Sequence, residues 1–377
     1  MTEARAVSIV IDNYNYERYI CDAIDSALGQ SYQDVEVLVV DDGSTDGSRD
    51  LIGQYDGAVT PVFKTNGGQA SAFNAGYAAS SGEIIIFLDS DDTLIPTAVE
   101  SVLANFTSTK ISKVQWPLWV VNEDGTRTGE TRPPQLPPEG ELRDVILQGG
   151  PTSCVSSPTS GNAWERDYLA RVLPIPEDVP YYRTCADEYL YTLAPVFGTV
   201  KTITEPQGFY RIHGKNIYSA LSFREKLQLE LDGHAQQTAV LSAVLQTHGF
   251  EVDVERWRKN SWFHRLRDAI SAIEDRIPVD DPLVIVDDET WDAAQIFSDR
   301  HIYPFTERNG LYDGPPASDR DAIEQLTRLR ESGVKHIVFA WPSFWWLEHF
   351  AEFAKYLRSR FVCEIENDVI VAFDLER

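Results

Sequence analysis

Three carboxylates stand within four residues at a point where an apolar run of the chain ends. The run Ile84–Leu88 is followed directly by Asp89, Ser90, Asp91 and Asp92. Carboxylates this close together repel one another unless a positive charge lies between them. A hard divalent cation with oxygen ligands, such as Mg²⁺ or Mn²⁺, is their natural partner. The alternative is a solvated acidic turn that caps the next helix, and this segment alone leaves both interpretations open.

Three further segments place chemically useful side chains at the end of a predicted strand or the start of a predicted helix. They are Ile11–Tyr16 (IDNYNY), Val39–Ser48 (VVDDGSTDGS) and Asn66–Ala75 (NGGQASAFNA). Each segment also has an ordinary structural explanation. Ser44 or Asp46 would cap a helix, the glycines would turn the chain, and the tyrosines would pack as aromatic side chains.

The elements that would position these segments alternate between strand and helix. Continuous apolar, β-branched runs are typical of strands buried on both faces of a parallel sheet. Strands are predicted at Val7–Ile11, Val35–Val40, Ala58–Thr65 and Glu83–Leu88, and helices at Tyr19–Gln30, Asp46–Tyr55 and Gln69–Ser80. This order predicts an α/β fold with an open, mainly parallel, Rossmann-like sheet. Ligands of such sheets bind beyond the carboxyl ends of the strands, which is where Asp12, Asp41, Asp42 and Asp89 fall.

The remainder of the chain predicts two further parts. A helix over 185–197 should be kinked or ended by Pro195, and Phe223–Ile277 has a helical pattern. Strand and helix signals resume at Leu283. We therefore predict a catalytic domain at 1–216, a helical extension at 217–280 and a small α/β accessory domain at 281–377.

Composition excludes several classes of protein. The 377 residues carry a formal net charge of −26, which argues against nucleic acid and anionic lipid as partners. The four cysteines are widely spaced and form no CxxC pair, so a zinc site or disulfide scaffold is not expected. The sequence lacks a signal-peptide pattern and an apolar stretch long enough to cross a bilayer. We expect a cytoplasmic protein, with peripheral association at the inner face of the membrane left open.

Taken together and in this order, the four segments resemble glycosyltransferase family 2, the inverting nucleotide-sugar transferases with a GT-A fold. The resemblance is close over residues 7–92 and continues more weakly to about residue 216. It implies transfer of a sugar from a nucleotide-sugar, in the first instance a UDP-sugar, to a hydroxyl of a saccharide or lipid-linked acceptor. It also implies Mn²⁺ or Mg²⁺ as cofactor and a role in polysaccharide or other glycoconjugate synthesis.

For the nucleotide, the resemblance implies a pocket at the ends of the first strands. Asp42 matches the family carboxylate that accepts a hydrogen bond from the base, usually uracil. The other positions assigned to the nucleotide are Asp12, Asn13, Tyr14, Gly68, Asp89 and Ser90. Many relatives carry an arginine where this chain has Phe73, so the role of that arginine is absent here or is supplied by another residue.

For the metal, the resemblance points to the aspartates of the DXD motif, Asp89 and Asp91. Asp91 is the stronger candidate for direct contact with the cation, which would stabilise charge on the leaving nucleoside diphosphate. The segment Tyr210–Asn216 is similar to a YRxHxxN segment of the family and makes His213 a further candidate ligand. A structural role is the alternative for this histidine.

An acceptor hydroxyl needs a carboxylate that begins to remove its proton, and the resemblance places this general base at Asp187. The family carries an acidic pair here, and Ala186 replaces its first member. Glu188 follows one place later and is assigned to the acceptor. The alternative is that Asp187 and Glu188 only complement the dipole of the helix that they open.

Two aromatic regions raise the question of sugar contacts. Pro158–Trp164 is similar to the family strand that lines the acceptor pocket, so Asn162 and Trp164 are predicted to bind the acceptor, with a buried core position as the alternative. Near the C-terminus, Trp345 and Trp346 are adjacent, so only one of them should face the sheet. We favour core packing over sugar stacking for this pair.

Two other functions stay open at this point. A nucleotidyltransferase would carry a Gly-rich basic loop after its first strand, and the loop here, DNYNYERY, has no glycine and a single arginine. A degenerate, non-catalytic module that binds sugar nucleotides is the second alternative, with Ala186 as its first sign. Retention of Asp42, Asp91 and Asp187 argues against it. The donor sugar, the acceptor, the oligomeric state and the role of residues 281–377 are not determined by the sequence.

Overall fold

The computed structural model describes residues 5–108, 110–214, 221–291, 293–308 and 311–376. The chain forms two compact units, and each contains two stretches of sequence. The first unit comprises Met1–Ala220 with Asp232–Ser261, and the second comprises Leu221–Leu231 with Trp262–Arg377. The stretch predicted as a separate helical extension is therefore shared between the two units.

The first unit is an α/β assembly built on one large and one small sheet. Its strands are β1 (Val7–Asn13), β2 (Val35–Asp41), β3 (Thr60–Phe63), β4 (Ile84–Asp89), β5 (Thr93–Leu94), β6 (Ile111–Gln115), β7 (Leu118–Val121), β8 (Arg127–Arg132), β9 (Asn162–Glu165), β10 (Thr199–Thr202) and β11 (Gly208–Arg211). Its helices are α1 (Ile20–Leu28), α2 (Ser48–Gly53), α3 (Gln69–Ala79), α4 (Ala98–Asn105), α5 (Arg143–Gly149), α6 (Arg166–Val172), α7 (Ala186–Phe197), the later part of α8 (Phe223–Thr247) and α9 (Val254–Asn260).

The large sheet has the strand order β10-β6-β9-β4-β1-β2-β3. All neighbouring strands are parallel except β9, which runs antiparallel to both β4 and β6. The prediction of a mainly parallel, Rossmann-like α/β sheet is confirmed. A smaller sheet, β5-β11-β7-β8, contains an antiparallel hairpin formed by β7 and β8, which flank Gly125.

Alternation along the strands explains why the sheet is covered on both faces. Ile9 and Ile11 pack on one face with α1 and α4, while Val10 packs on the other face with α3 and α7. Phe73 of α3 is fully buried in this second layer and stacks on Phe87 of β4, with ring centroids 4.1 Å apart. The residue that stands in place of the family arginine is therefore a core residue.

Two helix boundaries have identifiable physical reasons. Pro195 lies inside α7, which ends two residues later at Phe197, so the proline occupies the final turn. Residues 345–360 form two helices, α13 and α14, because the backbone of Phe350 leaves the helical region between them.

The second unit is a smaller α/β assembly with a mixed sheet. Its strands are β12 (Leu283–Val286), β13 (Ile302–Pro304), β14 (Glu307–Arg308), β15 (Leu311–Tyr312), β16 (His336–Ala340), β17 (Val362–Glu366) and β18 (Ile370–Asp374). Its helices are α10 (Trp262–Arg276), α11 (Ala293–Ile296), α12 (Asp319–Glu331), α13 (Trp345–His349) and α14 (Ala351–Arg360), with the first residues of α8.

The main sheet of this unit has the order β13-β12-β16-β18-β17, with β13, β12 and β16 parallel. Ser318 caps α12 by accepting a hydrogen bond from the backbone N–H of Asp321, as predicted. Trp346 is fully buried and Trp345 is 40% exposed, which confirms that only one of the two packs inside. Within the described part of the chain, no helix combines the length and the apolar character needed to cross a membrane.

Candidate active site

The loops that follow the parallel strands of the first unit surround an open cavity of about 530 Å³. Every residue predicted to bind the nucleotide lines it, namely Asp12, Asn13, Tyr14, Asp42, Gly68, Asp89 and Ser90. Asp91 of the predicted metal site lines it as well. The carboxyl ends of β1, β2 and β4 thus bring separated parts of the sequence to one place, as the sheet topology requires.

The register of the sheet explains why two aspartates lie side by side. Asp12 of β1 and Asp89 of β4 are direct cross-strand partners. Burial raises the pKa of Asp12 to about 8, and repulsion from Asp91 and Asp187 adds to this effect. The Oδ1 atom of Asp12 is buried and has no hydrogen-bond partner among the described residues. These carboxyl groups therefore retain protons unless another positive charge neutralises them.

The Asp-rich turn contains two kinds of carboxylate. Oxygen atoms of Asp89, Asp91 and Asp92 lie within 4.8 Å of one another. Asp92, however, accepts hydrogen bonds from Ser160 Oγ at 2.7 Å and from the backbone N–H of Arg211 at 3.0 Å, one on each oxygen. Asp92 therefore stabilises the turn, whereas Asp89 and Asp91 have oxygens that face the cavity.

The donor set fits a divalent cation. Burial raises the pKa of Asp89, and repulsion from Asp12, Asp92 and Asp91 raises it further. Such mutual repulsion is relieved when a cation with oxygen ligands lies between the carboxylates. Asp89 and Asp91 are the residues placed to hold the cation, and the orphaned Oδ1 of Asp12 lies in the same cluster.

His213 contacts the side chain of Asp91. Its Nε2 lies 2.9 Å from Asp91 Oδ2, and its ring packs against Tyr16 and Tyr19 with centroid distances of 5.5 and 5.3 Å. The histidine is buried and holds the Asp91 carboxylate, which is the usual arrangement of a residue that orients a metal ligand. Lys215 and Asn216, which end this segment, lie outside the described residues.

Asp42 is held by the Gly-rich turn that precedes α3. Its carboxylate accepts hydrogen bonds from the backbone N–H groups of Gly67 and Gly68 and pairs with Lys64 Nζ. Gly68 has φ +87°, and a Cβ atom there would lie 2.8 Å from the Cα of Arg183. Only glycine fits this backbone conformation and this close approach, so the turn that orients Asp42 depends on it.

Asp187, the predicted base, opens α7 and is partly exposed. It is not among the residues that line the cavity, but it interacts electrostatically with Asp12 and Asp89, which do line it. Burial raises the pKa of Asp187 to about 6, while hydrogen bonds from Thr159 and nearby backbone N–H groups oppose this shift. A carboxylate with this pKa is suited to general-base catalysis near neutral pH.

Gln69 connects the two sides of the site. Its Oε1 accepts a hydrogen bond from the backbone N–H of Ala186 at 2.9 Å, and its Nε2 lies 3.4 Å from Asp89 Oδ1. One side chain therefore caps the helix that carries Asp187 and touches the predicted metal-binding carboxylate. The amide at position 69 fixes the distance between these two parts of the site.

A buried lysine lies near the predicted base and interacts with it electrostatically. Lys113 of β6 is 2% exposed, and its Nζ donates a hydrogen bond to Ser156 Oγ and lies 5.4 Å from the ring centroids of Trp164 and Tyr191. Burial lowers the pKa of Lys113 to about 7, and attraction to Asp187 opposes this shift. Its positive charge in turn lowers the pKa of Asp187.

The predicted acceptor residues do not line this cavity, and two of them require correction. Asn162 is fully buried, and its Nδ2 donates to the backbone carbonyls of Ser157 and Pro158, so it shapes a turn. Trp164 is 1% exposed because β9 lies inside the sheet, between β4 and β6, and the indole packs into the core.

The third predicted acceptor residue has a different position. Glu188 is partly exposed and accepts a hydrogen bond from Gln237 Nε2 at 2.7 Å. Its carboxylate is thus engaged by α8, and a role toward the acceptor stays a prediction.

Sequence reasoning did not identify Gln69, Arg183 or Lys113 individually. Gln69 directly follows a Gly-Gly turn and so carried a usable signal, whereas Lys113 lies in the mixed polar and apolar stretch ISKVQ, which gave none. Arg183 lines the cavity and hydrogen bonds to Gly67 O and to Asn66 Oδ1. Its partners are more than 100 residues away in the sequence, so no local pattern indicated it.

Comparison with known proteins covers the same part of the chain. Residues 8–158 match the family model described as Glycosyl transferase family 2. An uncharacterized glycosyltransferase from Nostoc is 39% identical over 216 residues, which are 56% of this chain and 66% of that protein. Chondroitin synthase from Pasteurella multocida is 45% identical over 107 residues, 28% of this chain and 11% of that protein. The chain thus spans less than two thirds of these relatives.

Among solved structures, the mannosyltransferase PcManGT from Pyrobaculum calidifontis, in complex with GDP-Man and Mn²⁺, aligns with a TM-score of 0.48 and 16% identity over 73% of this chain and 76% of that chain. S. aureus TarS 1–349 in complex with UDP aligns with a TM-score of 0.43 and 18% identity over 72% and 79%. The family match lies in the region that carries β1 to β4 and the aspartates at their ends. Residues 8–158 are therefore a region similar to glycosyltransferase family 2.

Proposed function

We propose that the first unit is a metal-dependent inverting glycosyltransferase that moves a sugar from a nucleotide-sugar to a hydroxyl of a saccharide or lipid-linked acceptor. The observation that carries this proposal is the convergence of Asp12, Asp42, Asp89 and Asp91 on one cavity, with Asp187 close enough to interact electrostatically with two of them. Polysaccharide or other glycoconjugate synthesis is the role that we propose for this activity.

The donor would bind with its base toward Asp42 and its diphosphate toward Asp89 and Asp91. A carboxylate accepts hydrogen bonds only, so Asp42 suits an N–H of a nucleobase, and the imino N–H of uracil makes a UDP-sugar our first choice. Lys64 and the amides of Gly67 and Gly68 hold this carboxylate in place before the nucleotide arrives. This pre-organisation lowers the cost of binding.

Asp89 and Asp91 would hold Mn²⁺ or Mg²⁺, with His213 fixing the orientation of Asp91. When bound, the cation would supply positive charge that stabilises the leaving nucleoside diphosphate. Arg183, which lines the same cavity, brings a further positive charge near the Gly-rich turn.

The chemical step is a single displacement at the anomeric carbon. The acceptor oxygen forms a bond to this carbon while the bond from the carbon to the phosphate oxygen breaks, and its electron pair leaves with the diphosphate. Asp187 accepts the proton of the attacking hydroxyl. Gln69 and Thr159 keep the Asp187 carboxylate at a fixed position relative to Asp89. Attack from the face opposite the leaving diphosphate inverts the configuration at the anomeric carbon.

Isothermal titration of the full chain with UDP and with GDP, with and without MnCl₂, tests the binding part of this proposal. We expect Mn²⁺ to strengthen binding of UDP, and Asp91→Ala to weaken the Mn²⁺-dependent affinity by about 100-fold or more. Loss of an outer partner of a metal ligand already costs about 10–100-fold. The matched control is Asp50→Asn, an exposed aspartate on α2. Unchanged Mn²⁺-dependent affinity in Asp91→Ala would contradict the proposal.

Turnover assays separate the remaining alternatives. Release of UDP from a panel of UDP-sugars, with or without added acceptor, is expected for the transferase. Pyrophosphate release from a nucleoside triphosphate and a sugar phosphate would instead support a nucleotidyltransferase. Tight Mn²⁺-dependent nucleotide binding without hydrolysis or transfer of any donor would support a non-catalytic module.

A further inference from the structure

The second unit contains a cavity of about 640 Å³ at the carboxyl ends of its parallel strands. Strand β12 lies between β13 and β16, so the chain crosses from β12 to one side and then returns to the other. In open α/β sheets, ligands bind at such a switch point, beyond the carboxyl ends of the strands. The cavity lies beyond the carboxyl ends of β12 and β13, and its volume is in the range of small-molecule sites.

The acidic loop after β12 is held rigidly. Asp288 has φ 50° and Glu289 has φ 56°, a region that costs energy for residues other than glycine. The Asp288 carboxylate accepts hydrogen bonds from Trp345 Nε1 at 2.7 Å, Trp346 Nε1 at 2.9 Å and Tyr312 OH at 3.2 Å. These three donors satisfy the carboxylate oxygens of Asp288 and fix Tyr312, which lines the cavity.

A second carboxylate of the loop faces the cavity. Asp287 accepts hydrogen bonds from the backbone N–H groups of Glu289 and Trp291, at 3.2 and 3.0 Å. Asp287 and Glu289 both line the cavity, together with the rings of Trp291, Tyr303 and Tyr312. The lining thus combines aromatic faces with hydrogen-bond acceptors, and among the described residues that line it there is no Lys, Arg or His.

This chemistry discriminates between classes of ligand. A phosphate or another anion would meet Asp287 and Glu289 with no positive charge on the lining to offset the repulsion. Trp291 lines the cavity, is 5% exposed, and has an Nε1–H without an acceptor among the described residues. An ammonium ligand offers hydrogen-bond donors only, so it could not supply an acceptor to this N–H. A neutral molecule rich in hydroxyl groups supplies donors to the carboxylates and acceptors to the indole N–H. Its C–H faces also pack well on aromatic rings.

We propose that this cavity binds an uncharged saccharide, and that the second unit is a carbohydrate-binding module. The site is separate from the transferase cavity and independent of the function proposed for it. Tyr303 and Tyr312 provide ring faces, Asp287 and Glu289 accept hydrogen bonds from sugar hydroxyls, and the Trp291 indole N–H donates to a sugar oxygen.

The test uses the full-length chain on a printed array of neutral oligosaccharides built from glucose, mannose, galactose and N-acetylhexosamines, followed by titration calorimetry with the strongest binder. We expect binding that persists in EDTA and in Asp91→Ala. Trp291→Phe, which keeps a ring but removes the N–H, Tyr303→Leu and Glu289→Gln should each weaken it by about tenfold or more. Glu352→Gln, an exposed carboxylate on α14, is the matched control.

Thermal melting verifies that each variant is folded before its affinity is interpreted. Absence of binding to every glycan on the array would overturn the proposal. It would also be overturned if binding were unchanged in all three cavity variants or lost in Asp91→Ala, because the saccharide would then occupy the transferase cavity. Displacement of the saccharide by choline or by inorganic phosphate would also overturn the proposal, because the cavity would then be a site for a charged ligand.

Discussion

The two cavities of this protein follow the same rule of position but differ in how their acids are used. Both lie at the carboxyl ends of parallel strands where the chain changes direction, and both receive paired aspartates from a buried strand. In the first unit, Asp12 and Asp89 have raised pKa values because they are buried and lie near other carboxylates, among them Asp91. In the second unit, Asp288 accepts hydrogen bonds from three side-chain donors.

This difference teaches that the number of internal N–H and O–H donors, rather than the number of acids, decides the chemistry of an acidic loop. Carboxylates that are buried close together and repel one another favour a cation. Carboxylates that are already hydrogen-bonded shape a rigid loop and present their remaining lone pairs to a neutral ligand. Asp92 makes the same point within the first cavity, since its two oxygens are occupied by Ser160 and Arg211.

Among the changes that test this comparison of the two cavities, the largest effect is expected at Asp187. In Asp187→Asn the side chain can no longer accept the acceptor proton, so kcat should fall by about 10²–10⁴-fold, the usual contribution of a general base. Affinity for UDP with Mn²⁺ should be retained. Steady-state kinetics and calorimetry on the same preparation measure both quantities.

Asp167→Asn is the matched control for this change, since Asp167 is an exposed aspartate in the first turn of α6, as Asp187 is an aspartate in the first turn of α7. Its kcat should stay close to that of the unchanged chain. If Asp187→Asn abolished UDP binding while leaving the rate per bound donor unaltered, Asp187 would belong to the nucleotide site and not to the proton transfer.

A smaller effect concerns the electrostatic coupling between Lys113 and Asp187. The base works when ionised, and burial raises its pKa to about 6, so kcat/KM should rise with pH through this value and then level off. Lys113→Met removes a nearby positive charge, which should raise the pKa of Asp187 and move this acidic limb to higher pH. A pH profile of kcat/KM for both proteins measures the shift.

Ser156→Ala is the control for Lys113→Met, because it removes the hydrogen-bond partner of Lys113 without changing the charge. Ser156→Ala should leave the acidic limb of the kcat/KM profile at the same pH. Since burial lowers the pKa of Lys113 to about 7, the two profiles should differ most below that pH. An acidic limb that is identical in Lys113→Met would show that the lysine only fills the core.

The smallest expected effect is on stability, and it separates the two cavities directly. Asp12 has a pKa of about 8 in the folded protein against an ordinary value of 3.8. The folded state therefore binds more protons than the unfolded chain between these values, and the free energy of unfolding falls as pH rises. A divalent cation replaces those protons. MnCl₂ should then raise Tm more at pH 8 than at pH 5, by on the order of 5 °C at saturating concentration.

Two variants sharpen this last measurement. Asp91→Ala should remove most of the Mn²⁺-dependent rise in Tm, whereas Asp287→Asn in the second cavity should leave it unchanged. Differential scanning calorimetry at both pH values gives the comparison. An equal loss of the Mn²⁺ effect in both variants would mean that both acidic loops hold cations, and the distinction between the cavities would fail.

Local patterns predicted the elements well where strands are continuous and apolar. The strands that became β1, β2 and β4 were placed correctly because burial on both faces leaves an unbroken run of apolar residues. The aspartates at their ends followed from the same reasoning. Trp164 was misplaced because an antiparallel strand inserted inside a parallel sheet has no local signature that distinguishes it from a strand beside a pocket.

The amino-acid sequence by itself determined the α/β class, the acidic loops after the strands and the resemblance to a transferase family, because these depend on the order of apolar and polar residues along the chain. The tertiary structure alone decided which carboxylates are left without donors. It paired Asp12 with Asp89, engaged Asp92 and Asp288, and placed Lys113 near Asp187. Such partners are far apart in the sequence, and hydrogen bonding depends on distances that only the folded chain sets.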